Sequence, residues 1–181
     1  MASPRAGAAS LDGGAARPVA GHGCVSDLAP KTDDRVHRYN LRVYFEDTDA
    51  GGMAYHARYL HWAERARTES LRDIGLPHQF MIERHNAMLV VRRIEVEYWR
   101  PARLDDPVVV ETAILRVTGA QILLSQTVRA AAGGEDGAPG ERLAGLKVGL
   151  VCVGQRSLKP VPLPEPWRSV LRDLVVPAAA G

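Results

Sequence analysis

Apolar residues along this chain become periodic only from Val36 onward. Before it, residues 1–34 are rich in Gly, Ala and Pro and show no repeat, which reads as a disordered N-terminal extension. HRYNLRVYF, from His37, alternates and ends in aromatics, the pattern of a strand. Between Ala57 and Ile74 the period changes: Tyr59, Ala63, Ala66, Ser70 and Ile74 fall on one stripe flanked by Leu60 and Leu71. That predicts a long helix whose small residues let it lie close to a sheet. Arg65, Glu69 and Arg72 are spaced to pair on its wetter side. Gly75-Leu76-Pro77 stops it.

Strands are predicted after this helix. AMLVVRRIEVEYW sets Ile94, Val96 and Tyr98 against Glu95 and Glu97. PVVVETAILRV and QILLSQTVRA are joined through Gly119-Ala120, a tight hairpin in which Gly would supply a positive φ. A loose loop, AAGGEDGAPG, leads to RLAGLKVGLVCVG, where Gly145 and Gly149 suggest a bend or a close approach. The Pro-rich SLKPVPLPEPW reads as extended, with a short helical turn from Trp167 to Leu174. One strand, one long helix and about four further strands make an α+β layout, a helix lying on an antiparallel sheet. The expected division is an extension over 1–34, a domain over 35–160 and a tail over 161–181.

Composition narrows the class of function. With 181 residues, 46% hydrophobic and 24% charged, the chain can bury a core without staples. A formal net charge of +2 with no basic block argues against nucleic acid as a partner and stays compatible with a small anion. No apolar run reaches membrane-spanning length, so no transmembrane segment is expected. The N-terminal stretch carries Arg, Ala and low acidity, which a transit peptide would share, but has no continuous apolar segment for a secretory signal. A disordered extension or an early start codon fits it better. Cys24 and Cys152 form no C-x-x-C pair or framework, so a reducing, cytoplasmic setting is expected.

The stretch YFEDTDAGGMAYHARYL concentrates the chemistry between the first strand and the helix. On composition alone, DTDAGG is as much a structural turn as a site. As a calcium loop, Asp47, Asp49 and Gly52 fit the first, third and sixth positions, but Arg58 stands where a bidentate Glu is required. No H-E-x-x-H occurs, and no metal is expected. A hydrolytic reading uses more of the residues. Asp49 precedes Gly51 and Gly52, which let backbone approach a ligand, and His56 opens the helix, whose free N–H groups form an oxyanion site. Met53, Ala54 and Tyr55 would make the pocket partly apolar and desolvate Asp49, favouring it as a base.

These residues carry a resemblance. YFEDTDAGGMAYHARYLHWAERARTESLR, with RRIEVEYWRPARLDD and SLKPVPLP further on, resembles the hotdog-fold acyl-CoA thioesterases of the 4-hydroxybenzoyl-CoA thioesterase type, nearest to the Tol-Pal-associated, YbgC-type subgroup, over about Arg38 to Pro164. The resemblance implies a long helix wrapped by an antiparallel sheet of five to six strands. It implies protomers paired edge to edge into homodimers or homotetramers, with the active site between them. Asp49 falls on the family's catalytic carboxylate and His56 on its histidine. The His56 backbone N–H would polarise the thioester carbonyl, and its side chain would help place water or the leaving sulfur. Gly52 and Tyr55 fall on pocket-forming positions. Phe45 and Arg58 depart from the Tyr and Asn common in relatives. Arg58 would either meet a phosphate or face solvent.

The expected reaction is hydrolysis of an acyl-CoA thioester to free acid and coenzyme A, with Asp49 as base or nucleophile. No cofactor is implied, since coenzyme A is part of the substrate. Arg92 and Arg93 suit its phosphates or a solvated strand face equally. Glu64, on the long helix, is the next carboxylate in line, with an ion pair to Arg67 as its plainer role. Tyr98, Trp99 and Trp62 read as core or interface. Two other functions compete: a non-catalytic acyl-CoA or acyl-carrier-protein binding module, and an enoyl-CoA hydratase of the same fold.

Overall fold

The computed structural model describes residues 35–131 and 140–177, so the readings made on residues 1–34, on Cys24 and on most of the 131–140 loop lie outside the described residues. The elements run β1 (Val36–Arg42), a 3-10 turn (Phe45–Asp47), α1 (His56–Asp73), α2 (His78–His85), β2 (Ala87–Tyr98), β3 (Pro107–Val117), β4 (Gln121–Ala130), β5 (Arg142–Gly154) and α3 (Trp167–Asp173). The strands form one five-stranded sheet in the order β1-β3-β4-β5-β2, every pair antiparallel. This is the hotdog arrangement, an α+β fold.

Period-2 alternation decides which face is dry. Val108, Val110, Thr112 and Ile114 on β3 are buried, as are Ile122, Leu124, Gln126 and Val128 on β4. Cross-strand pairing of Val110 with Val128 and of Gln126 with Leu146 on β5 puts these side chains on one face. Helix α1 packs there, burying Tyr59, Trp62, Ala63 and Ala66. Ala63 and Ala66 keep the helix close enough for a side chain to reach it from the sheet. Gln126, fully buried, donates from Nε2 to the Ala63 carbonyl at 2.9 Å and to Thr112 Oγ1 at 2.9 Å, and accepts from Arg67 Nη1 at 2.8 Å. Gln126 thus forms a satisfied polar network in a mostly apolar core.

Helix α1 ends as the sequence indicates. Gly75 is left-handed (φ 73), Leu76 N–H reaches the Leu71 carbonyl at 2.8 Å and Gly75 N–H the Arg72 carbonyl at 2.9 Å, a Schellman ending. The next element is a second helix rather than the first of the expected strands. Pro77 caps the N-terminus of α2, whose one buried residue, Met81, leaves no periodicity to read. The hairpin at 119–120 is tight, Thr118 N–H meeting the Gln121 carbonyl at 2.8 Å, yet Gly119 does not adopt the positive φ expected of it. Gly145 does mark a close approach: a Cβ there would stand 2.5 Å from the Trp99 ring.

Segment 161–177 returns to the sheet. Leu163 N–H donates to the Gly119 carbonyl at 2.7 Å, Trp167 Nε1 to the Leu76 carbonyl at 2.9 Å, and Leu163, Trp167 and Leu171 are buried in the core. Among the described residues, no helix is long and apolar enough to cross a membrane.

Candidate active site

The turn between β1 and α1 is built on its first aspartate. Asp47 is buried; its Oδ2 accepts from Tyr44 N–H at 2.9 Å and its carbonyl from Tyr55 N–H at 2.8 Å. Arg58 reaches back to the same turn, donating from Nη2 to the Glu46 carbonyl at 2.5 Å and lying 3.6 Å from Asp47 Oδ1. Arg58 is therefore occupied by the turn's own backbone and carboxylate.

The second aspartate is held differently. Asp49 Oδ1 accepts from Gly51 N–H at 2.8 Å, which fixes the carboxylate over its own loop and leaves Oδ2 without a partner among the described residues. A Cβ on Gly51 would come within 3.1 Å of that Oδ1. Gly52 takes φ +68, the left-handed conformation that returns the chain so that Asp49 N–H meets the Met53 carbonyl at 2.9 Å. Met53 and Ala54 then pair with the 102–103 segment, Ala54 N–H donating to the Ala102 carbonyl at 2.9 Å.

Helix α1 begins at His56, with Tyr55 as its N-cap and no side chain capping that end. Arg58 N–H turns back on the Tyr55 carbonyl at 2.8 Å; the preceding amides, His56 among them, keep the positive end of the helix open to a ligand. Asp49 and His56 line one open cavity of about 340 Å³, with Tyr59, Tyr98, Trp99 and Arg100 among its walls. Tyr98 donates its hydroxyl to the His56 carbonyl at 2.9 Å, and Tyr55 stacks obliquely on the His56 ring with centroids 4.2 Å apart. Burial raises the pKa of Tyr59, with the Ala102 N–H on its oxygen acting the other way, and burial also raises that of Tyr98. Both therefore stay neutral around pH 7.

Asp49 and His56 are exposed in the single chain. Of the three residues expected to desolvate Asp49, only Ala54 is buried; Met53 and Tyr55 are 37% and 47% exposed. The single chain does not supply that desolvation. Arg92 and Arg93 lie elsewhere. The β2–β5 register skips Arg92 at a bulge, Arg93 pairs with Glu95 at 2.9 Å, and neither lines the Asp49 cavity. Glu64 is also apart from it. It accepts from Thr68 Oγ1 at 2.9 Å and borders a second, mostly apolar cavity of about 130 Å³ between α1 and the sheet, beside Arg67 and His78. Burial pushes the His78 pKa down there; Glu64 opposes the shift, while Arg67 and Arg72 add to it. Arg100 and Tyr59 were not singled out by sequence for the site. The RRIEVEYWRPARLDD block held a signal for Arg100, but only the fold brings it to the Asp49 loop. Among the described residues, no group of three or more His, Cys, Asp or Glu side chains is gathered for a metal.

The family model described as the Thioesterase-like superfamily matches residues 43–171, which spans both halves of this cavity. The chain belongs to that superfamily. Within it, this YbgC-like hotdog thioesterase is 38% identical over 141 residues to the acyl-CoA thioesterase YbgC of Haemophilus influenzae, covering 78% of this chain and 98% of that one. It is 40% identical over 130 residues to the acyl-CoA thioester hydrolase YbgC of Escherichia coli O6:H1, covering 72% and 91%. Among solved structures, a probable thioesterase from Bartonella henselae superimposes with a TM-score of 0.63 at 34% identity, covering 71% of this chain and 99% of that one.

Proposed function

We propose that this thioesterase hydrolyses an acyl-CoA thioester to the free acid and coenzyme A at the Asp49–His56 cavity. The observation that carries the reading is the sharing of one cavity by an uncommitted carboxylate oxygen and the uncapped start of α1. The thioester carbonyl sits against the His56 backbone N–H, which gains as negative charge develops on its oxygen. Asp49 then takes a proton from water as that water attacks, or attacks the carbonyl itself, expelling the thiolate and leaving a mixed anhydride that water opens. Either route balances with one water consumed per thioester. No further cofactor enters.

The exposure of Asp49 supports a homodimer, or a tetramer built from dimers. Strand β2 is an edge; Val91 and Tyr98 on it and Trp99 just past its end are 46%, 45% and 38% exposed. A second copy paired along this edge would remove water from the cavity as well as from the strand. The intracellular acyl-CoA pool makes a cytoplasmic location the natural one for this activity.

The test is thiol release from a panel of acyl-CoAs by the wild-type protein and by Asp49→Asn. Turnover that disappears in the variant, with fold and coenzyme A binding kept, supports the assignment. Undiminished turnover refutes it. Label in the Asp49 carboxyl after a single turnover in labelled water identifies the nucleophilic route, because only water opening the anhydride at the Asp49 carbon puts it there.

A further inference from the structure

We propose that Tyr98, seated against Tyr59, is a positioning residue that fixes the direction of the first amides of α1 beside the Asp49 carboxylate. The inference rests on the Asp49–His56 cavity being the site of hydrolysis. The Asp49 side is held by backbone bonds, Asp49 N–H to the Met53 carbonyl at 2.9 Å and Tyr55 N–H to the Asp47 carbonyl at 2.8 Å, while the start of α1 has no side-chain cap to fix its direction. A displacement of about 1 Å between reacting groups costs on the order of a hundredfold in rate, so the tilt of that helix start matters.

Tyr98 holds that helix start from β2. Its hydroxyl donates to the His56 carbonyl at 2.9 Å. That carbonyl lies in one rigid plane with the Ala57 N–H, and the His56 N–H is one Cα away, so the bond sets the direction of the amides at the helix tip. The Tyr98 ring meets Tyr59 edge-on, with centroids 5.4 Å apart and planes at 80°. Tyr59 is 2% exposed and its oxygen accepts from Ala102 N–H at 2.8 Å. Tyr59 belongs to α1 itself, so the hydroxyl bond and the ring contact hold the first turn of the helix at two points from β2. Tyr98 is 45% exposed, so its packing contributes little to the core, and the specific bond it makes is to the one carbonyl that steers the helix tip.

Tyr98→Phe keeps the ring against Tyr59 and removes only the hydroxyl. The expected result is a kcat lowered ten- to hundredfold with KM for acyl-CoA and calorimetric binding of coenzyme A unchanged, and a melting temperature within about 2 °C of wild type. A kcat within twofold of wild type overturns the proposal. So does a raised KM with kcat kept, which would make Tyr98 a binding contact, or a loss of kcat that merely tracks a loss of folded protein. Wild-type turnover abolished by Asp49→Asn but kept by Tyr98→Phe overturns the strut alone. No turnover by the wild type overturns the strut together with the assignment of the cavity.

Discussion

Replacing Gln126 by Met tests whether the Gln126 polar network in the core is a structural tie between helix and sheet. Met matches the side chain in length, so the change leaves little cavity and isolates hydrogen bonding. Gln126 makes two neutral hydrogen bonds, to the Ala63 carbonyl and to Thr112, and one with the half-buried Arg67 guanidinium. At about 1 kcal/mol for each neutral bond and about 1.5–3 kcal/mol for the charged one, the loss is about 3–5 kcal/mol. Part of it is the guanidinium left without its partner, since burial already lowers the Arg67 pKa, with Glu64 opposing the shift. A domain of this size should then melt roughly 6–20 °C lower. Urea unfolding gives the free energy directly, provided the slope is unchanged. Arg67→Met should cost less than Gln126→Met because it removes the half-buried charge, and the double variant should fall short of the sum by about 1.5–3 kcal/mol. A Gln126→Met cost under about 1 kcal/mol, or single effects that add to within about 0.5 kcal/mol, would refute the idea of a coupled network.

His78 has a pKa depressed in the folded state, so the unfolded chain binds the proton more tightly; the stability it contributes is complete above its ordinary value of 6.5 and is lost as pH falls below it. Melting curves from about pH 8 down to about pH 5 should show that loss, and His78→Gln should flatten it. Trp167→Ala empties a 1%-exposed site and frees the Leu76 carbonyl, and should cost about 3–5 kcal/mol by urea titration; a cost near zero would mean that the 161–177 segment is not part of the core. Gly52→Ala meets no atom within 4 Å, so its cost is the left-handed backbone, about 1–2 kcal/mol. Thiol release should fall several-fold while the melting temperature moves only a few degrees, because the strain is local to the Asp49 loop.

Local chemistry settled much of this protein from the sequence. The stripe Tyr59–Ala63–Ala66 determined a helix pressed against a sheet, since Ala63 and Ala66 are small enough to permit the approach. Gly75 determined where that helix stops, because a left-handed residue was needed there. The apolar segments of β3, β4 and β5 read as strands from the sequence alone, and the Asp49–Gly-Gly–His56 spacing marked the loop of the proposed site. The tertiary structure decided what depends on residues far apart in the chain. Helix α2 hides from pattern reading because it buries one side chain, and Gly119 takes an ordinary φ because its hairpin bonds, not its residue type, set the turn. Arg58 could have met a ligand until the Asp47 turn closed around it. Tyr98 and Arg100 gained a place beside Asp49 only when β2 was laid along the sheet edge, a long-range pairing with β5 that no local period encodes. The same edge leaves Asp49 in water in a single chain, since desolvation belongs to whatever surface closes over a group and not to the neighbours it has in sequence.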